Sequence, residues 1–342
     1  MKVLMALSGG VDSSVAAAEL IDSGHHVVGV TMRLWGGESD TGCCSVADVD
    51  DARRVAQQLG IDHLVFNFTD DFNAHVVDPY VQAHSHGLTP NPCIECNRHL
   101  KFERLSERAD LLGFDAVATG HHARVEGVGD RLFVHRGADA AKDQSYVVHM
   151  LAQRELRRTL FPVGHLTKAQ VRQRASDLGL RTAAKPDSQD VCFITQTGGR
   201  EAFLGSRIPF RRGTVVDSDG ARLGDLPAIE MVTVGQRRGI GLPGGGPKRY
   251  VTAIDRTTAT VVVGDEADLY VPQLLVDRLV WADQPYTGEV LVQCSAHGAA
   301  MPARLDGHTV HWQQPQRCVA PGQSVVFYDV GNSYVLGGGI AA

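Results

Sequence analysis

The stretch Lys2-Val3-Leu4-Met5-Ala6-Leu7-Ser8-Gly9-Gly10-Val11-Asp12-Ser13 decides how the rest of the chain is read. Its first half is an apolar run of strand length. A glycine pair follows, and Ser14–Ile21 then sets Val15, Ala18 and Ile21 at helical spacing. Strand, glycine-rich turn and helix in succession aim free backbone N–H groups and the positive end of a helix dipole at one point, a setting for phosphate. Ser8 and Ser13 add hydroxyl donors, and Asp12 is placed to help hold Mg²⁺. This turn carries no Lys-Ser/Thr pair and no GxGxxG, so neither common nucleotide fingerprint applies to it. Ordinary capping by Ser8 or Asp12 would explain a helix start but not two adjacent glycines.

Outward from this unit, His26–Met32, His63–Phe68 and Ala116–Thr119 repeat the strand pattern. Ser45–Leu59, with Val46, Val49, Ala52, Val55, Ala56 and Leu59 on one stripe, and Arg98–Leu112 repeat the helix pattern; they end at Gly60 and Gly113. The alternation predicts an α/β fold, a parallel sheet with helices on both faces and ligands at the carboxyl ends of its strands. From about residue 205 the texture becomes short strands separated by Gly, Pro and Asp: Met231–Val234, Arg249–Ile254, Ala259–Val263, Glu289–Cys294, Thr309–Trp312, Ser324–Tyr328 and Tyr334–Leu336. That spacing suits small β-barrels or sandwiches. The expected units are 1–204, a catalytic α/β domain; 205–268, a β-rich module; and 269–342, a β-barrel.

The 342 residues suffice for two or three domains. No apolar run approaches the ~18 residues of a membrane span, and the N-terminus lacks a secretory pattern, which predicts a cytoplasmic protein with no membrane partner. Seven cysteines, an odd and sparse number, argue for sulfur or metal chemistry over a disulfide framework. With 33 basic residues against 39 acidic, the net charge of −6 argues mildly against a nucleic-acid partner. Any RNA would have to bind through local patches and shape. Arg207, Arg211, Arg212, Arg237, Arg238, Lys248 and Arg249 are candidate phosphate contacts.

Three cysteines stand in suggestive settings: Cys93 and Cys96 in Thr89-Pro90-Asn91-Pro92-Cys93-Ile94-Glu95-Cys96-Asn97, and Cys192 in Asp187-Ser188-Gln189-Asp190-Val191-Cys192-Phe193. Cys96 is expected just before the Arg98–Leu112 helix, which carries Arg98 and Lys101. A helix start with nearby cations favours the thiolate. Cys294 and Cys318, in predicted strands, read as small buried hydrophobes, and Cys43-Cys44 is left open. His121-His122 falls at a strand end, where functional residues collect, whereas His25, His26, His84 and His86 read as solvated.

SGGVDS after the first strand resembles the pyrophosphate loop of the ATP pyrophosphatase superfamily, whose members cleave ATP to AMP and pyrophosphate while adenylating a carbonyl or carboxylate oxygen. The resemblance implies that Ala6, Leu7, Ser8, Gly9, Gly10, Val11, Asp12 and Ser13 cradle ATP. Met32 would lie against the adenine, and Gly120 would permit close approach at the fourth strand.

The ordered set SGGVDS, CCSVADVDDARRVAQQLGI, TPNPCIECNRHLKF, ATGHHAR, KDQSYV, KPDSQDVCFI, VTVGQRRGIGL and PGQSVVFYD resembles the bacterial tRNA-specific 2-thiouridylase family over nearly the whole chain. That resemblance implies an N-terminal ATP-pyrophosphatase domain, a central β-rich module and a C-terminal β-barrel. It implies replacement by sulfur of the 2-oxygen of the wobble uridine in the tRNAs for Lys, Glu and Gln. Cys192 would carry the sulfur as a persulfide, and Cys96 would be its nucleophilic partner, through a transient Cys96–Cys192 disulfide. Asn91, Pro92 and Cys93 would meet the flipped base; His121, Lys142, Asp143, Gln144 and Gln323 would contact tRNA. The sulfur would come from a cysteine desulfurase or a relay protein.

Two departures matter. Many members carry Asp at the position of Cys93, so an iron–sulfur ligand set of Cys93, Cys96 and Cys192 stands beside the persulfide route. Ser295-Ala296-His297 replaces a segment that is basic and aromatic in some relatives. The alternative within the superfamily is a ligase with an amine nucleophile, which needs neither Cys96 nor Cys192; a non-catalytic tRNA- or cluster-binding protein would not need SGGVDS.

Overall fold

The structure, a computed structural model, describes residues 1–34, 46–187, 191–195, 199–242 and 246–342, without the side chains of Val46, Cys192 and Thr195. The chain opens with β1 (Lys2–Ala6), α1 (Val11–Asp22), β2 (His26–Arg33), α2 (Val46–Leu59) and β3 (His63–Asn67). A helical arm follows: α3 (Thr69–Phe72), a π-helical segment Asn73–Val77 and α4 (Asp78–Ser85). A second runs through α5 (Pro92–Glu95), a π-helical segment Cys96–Arg104 and α6 (Leu105–Leu111). Then come β4 (Ala116–Ala118), the hairpin β5 (Ala123–Val128) and β6 (Arg131–Arg136), α7 (Gln153–Leu156), β7 (Thr159–Leu160), α8 (Lys168–Asp177), α9 (Cys192–Thr195) and α10 (Arg200–Gly205).

The parallel sheet has the order β3-β2-β1-β4-β7. The chain steps outward from β1 to β3 and then crosses to β4, so the strand order reverses between β1 and β4. A crevice opens at such a point, beyond the carboxyl ends of the strands. The strands are apolar on both sides because both faces are covered. On one face α1, α2 and α8 pack Val15, Ala52 and Val171 against Val3 and Met5. On the other, Phe72, Val76, Tyr80, Leu100 and Leu105 pack against Leu4, Val28 and Val30.

Four later strands, β8 (Gly213–Val216), β9 (Arg222–Leu226), β10 (Tyr250–Asp255) and β11 (Thr260–Gly264), form a sheet of order β10-β11-β8-β9. The closed barrel β12-β15-β14-β13-β16-β17 comprises β12 (Tyr270–Trp281), β13 (Gly288–Gln293), β14 (Met301–Asp306), β15 (Thr309–Arg317), β16 (Ser324–Tyr328) and β17 (Val335–Ala341). Among the described residues no helix is long and apolar enough to cross a membrane.

Several local expectations fail for physical reasons. The cysteine helix begins at Pro92: Asn91 accepts the Cys93 N–H at 3.1 Å as its cap, and proline occupies the first helical position. Cys96 therefore lies inside the helical run, and Cys93 is the cysteine in its first turn. Met231–Val234 is not a strand. Ile229–Met231 is a 3₁₀ turn, fixed where the Arg211 N–H and guanidinium donate to the buried Glu230 carboxylate at 3.0 and 2.9 Å. His84 is buried, with its ring 4.5 Å from that of Tyr80; burial, with Arg200 and Arg256 nearby, lowers its pKa to about 4. Strand β12 carries Pro272 at a register irregularity between Val271 and Gln273, a residue that argues against a strand when only the sequence is in view.

Candidate functional site

The β1–α1 turn is built to receive an anion. Gly9 has φ +71°, and a Cβ there would stand 2.5 Å from the Asp48 carbonyl oxygen, so no other residue fits without displacement. Gly10 is the N-cap of α1 and supplies no side-chain cap, which leaves the first amides of the helix for a ligand. Ser13 Oγ accepts from the Ser8 amide at 3.2 Å and donates to the Gly10 carbonyl at 3.1 Å, closing the loop on itself. Lys185 Nζ clamps the outside of the turn, 2.9 Å from the Gly9 carbonyl, 2.7 Å from Asp48 and 2.8 Å from Asp51.

The end of β4 closes against this turn. A Cβ on Gly120 would lie 2.6 Å from the Ser13 amide nitrogen, so glycine is required here by contact with the loop itself. The His121 Nδ1 shares a 2.6 Å hydrogen bond with Thr119 Oγ1, and its ring lies between Phe102 and Phe161. Burial, then the charges of Lys101 and His122, push its pKa well below the usual histidine range. His122 is buried, with Nε2 3.1 Å from Asp12.

Asp12 is the focus of a charge chain that the motif alone does not announce. Lys168, in the first turn of α8, places Nζ 2.7 Å from both Asp12 oxygens and 2.8 Å from Asp187. Lys142 and Arg172 also reach Asp187, at 2.8 and 2.7 Å. Burial alone would raise both carboxyl pKa values. Hydrogen bonds from His122 and Lys168 lower that of Asp12, and those from Lys142 and Lys168 hold Asp187 well below the usual carboxylate range.

One cavity of about 770 Å³ joins these groups to the cysteine helix. Its floor is the turn from Ala6 through Ser13, with Met32 and Gly120 beside it; Gly9 faces α2 instead. Its far wall carries Pro92, Cys93, Cys96, Asn97 and Lys101. A π-helix holds more residues per turn than an α-helix, which brings Cys96 and Lys101, five positions apart, to the same wall. Cys93 Sγ lies 3.5 Å from the Val191 amide, which sets the segment leading to Cys192 against Cys93. The Cys192 side chain, like Cys43 and Cys44, lies outside the described residues.

The remaining sequence candidates separate into two groups. His121, Lys142, Asp143 and Gln144 line the cavity, together with Ala296 and His297 from the barrel. The Asp143 carboxylate is fully engaged by Arg136, the Gly137 N–H and Ser145, and Gln144 Oε1 accepts the His122 N–H at 2.9 Å. Asn91 and Gln323 stand outside the lining. Gln323 Nε2 donates to the Thr89 carbonyl at 2.6 Å. Cys294 is half-buried, and desolvation pushes its thiol pKa up to about 12, so it is inert as a nucleophile. Lys168 and Asp187 are the site residues that the sequence reading missed; Lys168 is distant from the glycine turn in sequence and belongs to no recognised motif.

Chemically, the cavity can hold an anionic group at the turn and present sulfur across from it. Residues 1–196 match the family model described as tRNA methyl transferase HUP domain, 201–265 the tRNA methyl transferase PRC-barrel domain, and 271–341 the aminomethyltransferase beta-barrel domain. The tRNA-specific 2-thiouridylase MnmA of Chloroflexus aurantiacus (strain J-10-fl) is 46% identical over 351 residues, covering 98% of this chain and 97% of that protein. The protein of the same name from Mycobacterium avium (strain 104) is 48% identical, with 98% of each chain covered. Identity of that order over 98% of the chain means that it belongs to the tRNA-specific 2-thiouridylase family.

Proposed function

We propose that this protein is an ATP-dependent enzyme that replaces the 2-oxygen of the wobble uridine of tRNA with sulfur. The observation that carries the reading is the single cavity in which the β1–α1 turn faces Cys93 and Cys96. An amine-dependent ligase would need the turn and not the cysteines. The division into 1–204, 205–268 and 269–342 is read in the same way: a catalytic domain, with two β modules that present tRNA to it.

The uridine 2-oxygen attacks the α-phosphorus of ATP, pyrophosphate leaves, and the base becomes an O-adenylate. Amides of the turn and Lys168 face the charge that develops on the phosphates. Asp12, ionised and lining the cavity, is the residue that would hold an accompanying Mg²⁺, sharing its oxygens with Lys168. Met32 borders the adenine side. The terminal sulfur of a Cys192 persulfide then attacks C2, and AMP departs with the former 2-oxygen. The Cys96 thiolate attacks Cys192 Sγ, leaving the thiocarbonyl on the base and a Cys96–Cys192 disulfide, which an external thiol reduces. The sulfur is delivered to Cys192 by a cysteine desulfurase or a relay protein.

A second reading, in which Cys93, Cys96 and Cys192 ligate an iron–sulfur cluster, is favoured by the approach of the Val191 amide to Cys93. Anaerobic absorption with iron and sulfide analysis separates the two. A colourless, iron-free protein that thiolates tRNA supports the persulfide route; activity that follows iron content overturns it. The function itself is tested with unmodified tRNA, ATP and a sulfur donor. Formation of 2-thiouridine that is lost in Cys192→Ser, while adenylation persists, is expected; full turnover by Cys192→Ser on unmodified tRNA would sink the reading.

A further inference from the structure

Asp139 stands outside the cavity lining, in the loop between β6 and the 3₁₀ turn Ser145–Val148, yet it ties together two elements that do line it. Its Oδ2 accepts the N–H of Lys168, the first residue of α8, at 2.9 Å. Its Oδ1 accepts the Ala141 N–H at 3.0 Å, and its carbonyl accepts the Lys142 N–H at 3.0 Å. One residue therefore folds the loop that carries Lys142, Asp143 and Gln144 and holds that loop against the start of α8. The helix has a capping box of its own, in which Thr167 Oγ1 accepts the Gln170 N–H at 3.3 Å and Gln170 Oε1 accepts the Thr167 N–H at 2.8 Å. Asp139 is additional to that box and reaches the helix from a different part of the chain.

The contacts close a ring. The Lys168 ammonium holds Asp12 at 2.7 Å, and Asp12 meets His122 Nε2 at 3.1 Å. Gln144 grips the His122 main chain at both ends: the His122 N–H donates to Gln144 Oε1 at 2.9 Å, and the His122 carbonyl accepts the Gln144 N–H at 2.9 Å. From Gln144 the loop runs back to Asp139. A smaller ring passes through Asp187, where the ammoniums of Lys142 and Lys168 meet, each at 2.8 Å. A lysine ammonium sits on a flexible four-carbon stem, so two of them keep one geometry on a single carboxylate only if their backbones are fixed relative to each other. Asp139 bonds the backbone N–H of both.

We infer that Asp139 is a positioning residue for the ATP half of the reaction: it fixes the Lys168 backbone relative to the Lys142–Gln144 loop and so keeps the Lys168 ammonium on Asp12 and Asp187. It acts through Lys168 and touches neither ATP nor RNA. Loss of Asp139 leaves the bonds of Asp143 to the Gly137 and Ser145 amides. The Ser145–Val148 turn then stays in place, and with it the cysteine helix, whose Asn97 Nδ2 donates to the Val147 carbonyl at 2.8 Å. The kinetic part of this inference rests on the proposed adenylation of tRNA; the structural part does not.

The test compares Asp139→Ala and Asp139→Asn with Thr167→Ala, which takes a cap from the same helix end and leaves the loop untouched. Three quantities are read in the full chain: acylation of the Lys168 amine by acetic anhydride without ATP or RNA, resolved by peptide mass spectrometry; iodoacetamide labelling of Cys96; and the kcat of pyrophosphate release on unmodified tRNA, with tRNA KM. In the wild type the Lys168 side chain is 12% exposed and paired. Asp139→Ala is expected to speed its acylation and to lower kcat by about tenfold, a fraction of the ~100-fold that an ångström-scale misplacement costs. Cys96 labelling and tRNA KM should stay at wild-type values. Asp139→Asn, which keeps one acceptor oxygen, should fall between, and Thr167→Ala should match the wild type in acylation and kcat. Equal effects from Thr167→Ala would reduce Asp139 to a helix cap and overturn the positioning role, as would a raised tRNA KM with wild-type acylation or a Cys96 rate that rises with that of Lys168. If Asp139→Ala unfolds, hydrogen exchange on the wild type decides: a slow Lys168 amide supports the link, and a fast one overturns it. If the wild-type chain releases no pyrophosphate with tRNA, the functional reading fails, while acylation and exchange still decide the link.

Discussion

Lys168 holds Asp12 through both carboxylate oxygens, at 2.7 Å each, and reaches Asp187 with the same ammonium. The two acids lie on different segments, one at the start of α1 and one past α8, so this one cation joins the phosphate turn to the Lys142–Asp187 side of the cavity. Lys168→Met leaves Asp12 and Asp187 without their shared counter-charge and removes a cation from the developing phosphate charge. ATP-dependent pyrophosphate release is expected to fall by about 100-fold. A radiolabelled pyrophosphate assay checks this; a wild-type rate in Lys168→Met would remove Lys168 from the ATP half of the reaction.

The same chain makes a prediction about acid. The folded-state pKa of Asp187 is depressed, so its contribution to stability is present above the unfolded value of ~3.9 and is lost as pH falls through the folded value. Asp187→Asn is therefore expected to lower the melting temperature at pH 7 and to narrow its difference from wild type as the pH drops below ~4. Calorimetry across that range reads the convergence; parallel curves would show that the Asp187 pairs add nothing to stability.

Buried histidines act with the opposite charge logic in a higher window. His149 donates Nδ1 to the Tyr146 carbonyl at 2.8 Å beneath Gly338 of β17. Burial outweighs that bond and, with Arg98, holds its pKa near 4. The unfolded chain takes up this proton first, at ~6.5. Stability is thus complete above ~6.5 and lost as pH falls towards 4, by an order of 3 kcal/mol for a shift of this size. His149→Asn keeps a donor for the Tyr146 carbonyl and removes the titration. Its unfolding free energy is expected to fall less steeply between pH 6.5 and 4 than that of the wild type, measured by urea titration.

How much of this was legible in the sequence depends on the distance between interacting parts. The glycine turn and the helix it opens are local patterns, and Gly9, Gly10 and Asp12 could be singled out from them, whereas Gly120 was named from a resemblance. The start of the cysteine helix was local too. Asn91 followed by Pro92 is a cap and a first-turn proline, but two prolines in five residues read more readily as a loop. Lys168 carries no motif, and Asp187 lies in the KPDSQDVCFI stretch without being singled out; both become site residues only when α8 packs beside α1. Gln323 was named from a resemblance as an RNA contact; its bond to Thr89, across 234 positions, needs the three sheets in place. The barrel showed four of its six strands, because β12 hides behind Pro272 and β14 behind Pro302.

Gly120→Ala tests whether the end of β4 needs a bare backbone. The added methyl would meet the Ser13 amide at 2.6 Å and the Asp12 carbonyl carbon at 2.9 Å, and both partners are backbone that cannot swing aside. Overpacking of this kind costs about 1–3 kcal/mol, and the relief available is an outward shift of the first turn of α1. The variant is expected to melt lower and to show a raised ATP KM, while Cys96 labelling stays at the wild-type rate. An unchanged ATP KM would mean that the turn tolerates the shift.

Lys101 completes the cavity in a different way. It lines the far wall beside Cys96 and, among the described residues, forms no ion pair, whereas Lys142 and Lys168 are both held by carboxylates. An unpaired cation on the sulfur side of the cavity favours an anion there, and the Cys96 thiolate is the anion that the proposed chemistry generates. Lys101→Met is expected to move the pH midpoint of Cys96 alkylation upward and to lower thiolation kcat at neutral pH, with kcat recovering as pH is raised and the thiolate forms without help. Pyrophosphate release should be unaffected, because the ATP turn keeps Lys168 and its amides. A fall in pyrophosphate release with an unmoved alkylation profile would instead assign the Lys101 charge to the phosphates.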